Sequence, residues 1–142
     1  NWAMAHTLNK KNQLDECLEV LLSHEFKSLF FQRATKVLAL QSYFDLFLKS
    51  PGSYEFYLLN YCDSFEKWVT RNRSLSKLLR ESYLRFIQKC RALAKIFTSV
   101  NFQEKRLNRL LENEKNIIAL KWLQEKQEQV SRMKKSGRLP KS

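Results

Sequence analysis

The stretch Leu75-Ser76-Lys77-Leu78-Leu79-Arg80-Glu81-Ser82-Tyr83-Leu84-Arg85-Phe86-Ile87-Gln88-Lys89-Cys90-Arg91-Ala92-Leu93-Ala94-Lys95-Ile96-Phe97 decides the fold class. Leu75, Leu79, Tyr83, Phe86, Ile87, Cys90, Leu93, Ala94 and Phe97 recur at the three-and-four spacing of one helical face, with no Gly or Pro to interrupt them. Before them, Arg71-Asn72-Arg73-Ser74 reads as a polar turn, with Ser74 or Ser76 as N-cap. At about 100° per residue, Lys77, Arg80, Arg91 and Lys95 are expected opposite the apolar stripe, as a basic ridge.

The same period extends upstream. Leu14, Cys17, Leu18, Leu21 and Leu22 predict a short helix ending near Ser23. Phe26, Leu29, Phe30, Ala34, Val37, Leu38, Phe44, Phe47 and Leu48 predict a longer one, and Phe31, Leu40, Tyr43 and Leu46 widen its stripe enough to suggest burial on several sides. Ser50-Pro51-Gly52-Ser53 ends it, because Pro cannot continue the hydrogen-bond ladder. A third helix over residues 54–69 carries Tyr54, Tyr57, Leu58, Tyr61, Cys62, Phe65, Trp68 and Val69, an aromatic stripe read first as core, with a peptide groove or stacking platform as the alternative.

Downstream, Asn101-Phe102-Gln103-Glu104 has the spacing of a capping box and announces a further helical region with Leu107, Leu110, Leu111, Ile117, Ile118 and Trp122. A single helix over residues 102–135 would run roughly 50 Å. A break between Glu112 and Asn116 is equally compatible, since Asn113 and Asn116 are weak helix formers. Gly137 marks a helix stop within a basic tail, residues 136–142. The expected architecture is therefore all-α: a single-domain helical bundle of five to seven helices over residues 1–135, with a long C-terminal helical region. Phe30, Phe44, Leu58, Phe65, Phe86 and Cys90, central in their stripes, are the expected core.

Composition agrees with an all-helical reading and excludes several classes. The 142 residues include only two Gly and two Pro, too few for collagen, low-complexity disorder or a turn-rich β fold. No apolar run reaches the roughly 18 to 20 residues of a membrane span. Asn1-Trp2-Ala3-Met4 lacks the basic-then-apolar order of a signal peptide, and Cys17, Cys62 and Cys90 are odd in number and widely spaced, as reduced thiols would be. An intracellular location, cytoplasmic or nuclear, is expected.

The charge is polarised. Residues 1–70 hold seven Lys+Arg and eight Asp+Glu, whereas residues 71–142 hold nineteen and six, so the second half supplies the whole net charge of +12. A one-sided basic field attracts nucleic acid, anionic lipid or an acidic protein surface, and the total charge does not choose among them. Lys77, Arg80, Arg91 and Lys95, joined by Arg132, Lys134, Lys135 and Arg138, are the residues expected to contact such a partner.

Motifs for chemistry are missing. Gly52 and Gly137 are the only glycines, so no P-loop, dinucleotide fingerprint or nucleophile elbow can be built. His6 and His24 have no partner at metal-ligand spacing, and Cys62 and Cys90 lie on apolar faces where a thiol acts as a small hydrophobe. Glu112 and Glu114, two apart, point to different helix faces and do not form a paired-carboxylate site. No catalytic residue, metal or cofactor is expected, and the chain reads as non-enzymatic.

Several phrases, in order, resemble the regulator of G-protein signalling (RGS) homology domain. They are Leu21-Leu22-Ser23-His24; Phe47-Leu48-Lys49-Ser50 followed by Glu55-Phe56-Tyr57 and Cys62-Asp63-Ser64-Phe65-Glu66-Lys67; Tyr83-Leu84-Arg85-Phe86-Ile87-Gln88 followed by Ser99-Val100-Asn101-Phe102; and Gln129-Val130-Ser131-Arg132-Met133 before Arg138-Leu139-Pro140-Lys141. The resemblance implies a bundle of short helices that binds a Gα subunit. It also exposes departures. The family's loop Asn, presented to the GTPase site, has no counterpart, because Ser53 leads directly into Tyr54-Glu55-Phe56. The late acidic contact meets Lys134-Lys135-Ser136-Gly137-Arg138 instead, with only Arg138 as a counterpart. The resemblance thus implies a Gα-binding scaffold without GTPase-accelerating residues. The alternative is a basic helical domain that binds nucleic acid or another acidic surface through its C-terminal half.

Overall fold

Regular structure in residues 29–137, the part that the computed structural model describes, is entirely helical. Five helices are described: α1, Leu29–Lys49; α2, Pro51–Arg71; α3, Lys77–Thr98; α4, Glu104–Arg109; and α5, Leu120–Ser136. The expected all-α class holds. The helix expected over residues 12–23 lies outside the described residues. The chain divides into two compact units whose boundary falls within α2, between Tyr61 and Cys62.

In the first unit, α1 is buried from Leu38 to Leu48 on more than one side, since the consecutive Leu38, Ala39 and Leu40 are all covered. Ser42 is buried too, and its hydroxyl donates to Leu38 O at 2.9 Å, which satisfies it within the helix. Phe30 departs from expectation. It is 61% exposed, because burial along α1 begins two turns later, at Leu38. Periodicity identifies the face of a helix but not how far along it a neighbour extends.

Only Ser50 separates α1 from α2. Pro51 ends the first helix and opens the second, where its missing N–H costs nothing and its fixed φ suits the first turn. The aromatic stripe of α2 proves narrower than expected. Leu58, Cys62, Phe65 and Val69 are buried, Tyr54, Tyr61 and Trp68 are half-buried flanks, and Tyr57 stands 55% exposed. Four residues at i, i+4, i+7 and i+11 already make one complete face.

The second unit centres on α3. Ser76 caps it, accepting from the Leu79 amide at 3.2 Å. Phe86, Ile87, Cys90 and Leu93 are fully buried along its length, as the stripe predicted. Phe86 meets Trp122 of α5 edge-on at 6.1 Å, and Phe65 of α2 meets Tyr83 at 6.0 Å.

The open question over residues 102–135 resolves as a break. α4 stops at Arg109, and α5 begins at Leu120 after a turn-rich segment with Asn113 (φ 64°) and Ala119 (φ 55°) in the left-handed region. Asn tolerates that conformation, whereas for Ala it costs on the order of 1 to 2 kcal/mol. Burial and hydrogen bonds hold the segment in place: Ile117 is buried, Ser82 Oγ donates to Asn116 O at 2.8 Å, and the Ile118 amide donates to Ser82 O at 3.4 Å. The expected capping box is not formed. Gln103 is the N-cap of α4 and makes no side-chain cap, while the Asn101 amide donates to Ser99 Oγ. Gly137 ends α5 as expected, at φ 68° with its amide bonded to Lys134 O.

The thiols of Cys62 and Cys90 are both fully covered. Burial pushes the Cys62 thiol up to about 12 and Cys90 well above its ordinary value. Little thiolate therefore forms at either position at pH 8. In a Cys17→Ser variant, neither remaining thiol should react with a thiol-specific dye at pH 8 until denaturant is added. Stoichiometric labelling of the native protein would contradict this burial.

Candidate functional site

The eight cations expected to face a partner fall into three groups. Lys77 and Lys95 are exposed on α3, and Arg132 is exposed on α5 beside Glu128 at 3.7 Å. Arg80, Arg91, Lys134 and Lys135 instead make bonds within the fold. Arg138 lies outside the described residues.

Arg80 and Arg91 are not opposite the stripe of α3, which corrects the expected ridge. Arg80 is three residues before Tyr83 and Arg91 four after Ile87, so both flank the buried face. The Arg80 guanidinium donates to Asn72 O and Leu75 O, each at 3.2 Å, and closes the turn between α2 and α3. Arg91 grips Glu66 at 2.8 Å and Asp63 at 2.7 Å, tying α3 to the C-terminal part of α2. The hydrogen bond to Glu66 chiefly, opposed by burial and aided by Asp63, holds Arg91 above its ordinary value. Arg91→Ala should cost about 1 kcal/mol, because Asp63 is well exposed and Glu66 partly so. Urea melts in low and high salt check this, with the difference between wild type and variant shrinking as salt rises.

Lys134 has a similar internal role. Its ammonium donates to Phe97 O at 3.0 Å and Ser99 O at 2.7 Å, satisfying carbonyls at the end of α3, and lies 5.8 Å from the Phe102 ring centre. Burial pulls Lys134 below its usual value. Lys135 pairs with Glu104 at 2.6 Å, and Gln127 of α5 donates to Leu107 O of α4. These bonds fasten α4 and the end of α3 to α5.

That fastening creates a cluster the periodicity did not reveal. Leu107 is fully buried and anchors α4, which leaves Lys105, Arg106 and Arg109 on its outer side. With Lys89 of α3, Gln103 and Leu110 they line an open groove of about 530 Å³. A smaller pocket of about 50 Å³ adjoins it, sharing Gln103 and Arg106 and adding Lys95 and Phe102. Comparison with family models, with curated proteins and with solved structures gives no match. The groove must therefore be read from its own chemistry.

Among the described residues, Lys89, Lys95, Lys105, Arg106 and Arg109 make no ion pair or side-chain hydrogen bond. The one carboxylate in residues 85–109, Glu104, is taken by Lys135. Five cations without a counter-charge form a strong local positive field, suited to binding an anion. The sequence did contain the signal, as Lys105-Arg106 and Arg109 at i, i+1 and i+4. Among the described residues no His/Cys/Asp/Glu group could hold a metal ion, and no helix is long and apolar enough to cross a membrane.

Proposed function

We propose that this chain is a non-enzymatic helical interaction module that binds an acidic macromolecular surface through its α3–α4 groove. The observation that carries the proposal is the set of five cations, Lys89, Lys95, Lys105, Arg106 and Arg109, gathered from two helices with no partner among the described residues. Keeping like charges together without a carboxylate among them opposes folding, so a bound anion is what would offset their repulsion. Lys77 and Arg132, exposed on α3 and α5, extend the positive field beyond the groove. Titration of dye-labelled heparin, a dense polyanion, tests the reading. Binding that weakens steeply between about 0.05 and 0.5 M salt supports it, and no binding at the lower concentration refutes it.

A Gα subunit is the protein partner suggested by the RGS resemblance. Under that reading the module binds without accelerating GTP hydrolysis, because acceleration requires groups that hold the GTPase in its transition-state arrangement. Ser50 is the only residue between α1 and α2, which leaves no loop there to present an Asn. Single-turnover hydrolysis by a panel of Gα subunits should be unchanged by excess domain. A tenfold stimulation, worth about 1.4 kcal/mol of barrier, would overturn the non-accelerating reading.

A further inference from the structure

Resting on that reading of the groove, we infer that its partner is double-stranded nucleic acid, held by the phosphate backbone without base readout. The lining discriminates among acidic partners. A protein interface is anchored by apolar or aromatic residues in a desolvated centre, whereas the larger groove has Leu110 alone, half-buried, against Lys89, Gln103, Lys105, Arg106 and Arg109. Single strands are held by exposed aromatic rings that stack on bases. The nearest ring, Phe102, is half-buried beneath the Lys134 ammonium and offers no such platform.

What the groove does supply is what a phosphate backbone takes. Lys and Arg serve as charge partners, and the Gln103 amide as a neutral donor. Lys89 and Lys95, six residues apart on α3 and about 120° apart around its axis, line the two adjoining depressions, Lys89 the larger with Lys105, Arg106 and Arg109, and Lys95 the smaller with Arg106. Arg106 and Arg109 can each engage a phosphate with two parallel N–H donors. No base-reading element accompanies them, so different sequences should bind alike.

The test uses fluorescence anisotropy with a labelled 20-base-pair DNA duplex of mixed sequence and a second duplex of unrelated sequence. Five phosphate contacts give a slope of log K against log salt near −4.5, at about −0.9 per contact. Replacing Lys105, Arg106 and Arg109 together by Gln should reduce that slope to about −2 and weaken binding several-hundredfold near 0.1 M salt. Replacing the exposed Lys67, Lys115 and Lys121 by Gln, an equal loss of charge elsewhere, should change affinity less than tenfold. Circular dichroism and thermal melts of both variants establish that they fold; if the α4 variant does not, Arg106→Gln and Arg109→Gln tested singly should each lower the slope by about 0.9.

The two duplexes should agree within about threefold. Equal or tighter binding of a 20-residue polyglutamate peptide, of a single strand of the same length or of vesicles containing anionic lipid would overturn the duplex assignment while leaving the acidic-surface proposal standing. Equal losses in the two charge variants would overturn it as well. Failure of duplex and heparin alike would remove both.

Discussion

Phe86→Ala should lower the unfolding free energy by about 3 to 5 kcal/mol and Leu58→Ala by about 2 to 5. Both side chains are fully buried, and Phe86 also loses its edge-on contact with Trp122. The cost combines the lost transfer of the side chain from water with the cavity left behind, because α3 and α5 are tied by other contacts and cannot collapse freely onto the gap. Urea and thermal melts should show a drop in Tm on the order of 10 °C for Phe86→Ala. An unchanged melting curve would mean that the α3 stripe is not core. Phe30→Ala is the matching control, since its exposed side chain should be replaceable at a cost below about 0.5 kcal/mol.

The contrast between Phe86 and Phe30 marks what the sequence makes legible. Helix identity and inward face followed from the three-and-four spacing, because both are local consequences of backbone geometry. Ser76 as N-cap and Gly137 as helix stop were equally local. Phe30 and Tyr57 are exposed and the Asn101–Glu104 capping box is absent, because these outcomes depend on where a neighbouring element ends.

Charges were harder to place than apolar residues. A long cation can bend back across the edge of a buried stripe, as Arg91 does toward Glu66 and Asp63, and a wheel position does not record that choice. Lys134, expected at a partner surface, bonds to Phe97 O and Ser99 O at the end of α3. Lys105, Arg106 and Arg109 line one groove because Leu107 fixes the outward side of α4 and Lys89 comes up beside it. No single-helix pattern contains that juxtaposition.

Reversal of Lys89, Lys105, Arg106 and Arg109 to Glu should have the largest functional effect. Against a dense anionic surface each exposed cation is worth about 1 kcal/mol at physiological salt. Four lost contacts amount to about 4 kcal/mol, nearly a thousandfold in Kd. Folding should survive, since none of the four side chains bonds to another described residue.

The decisive measurement is the Kd of dye-labelled heparin for three proteins at about 0.1 M salt: wild type, the groove reversal, and a reversal of the exposed Lys67, Arg73, Lys115 and Lys121 to Glu. The two variants carry the same net charge, so only placement differs. If the groove is the binding site, its reversal raises Kd by nearly three orders of magnitude while the distal reversal raises it less than tenfold. Equal losses in both variants would show that net charge alone, and not the α3–α4 groove, holds the polyanion.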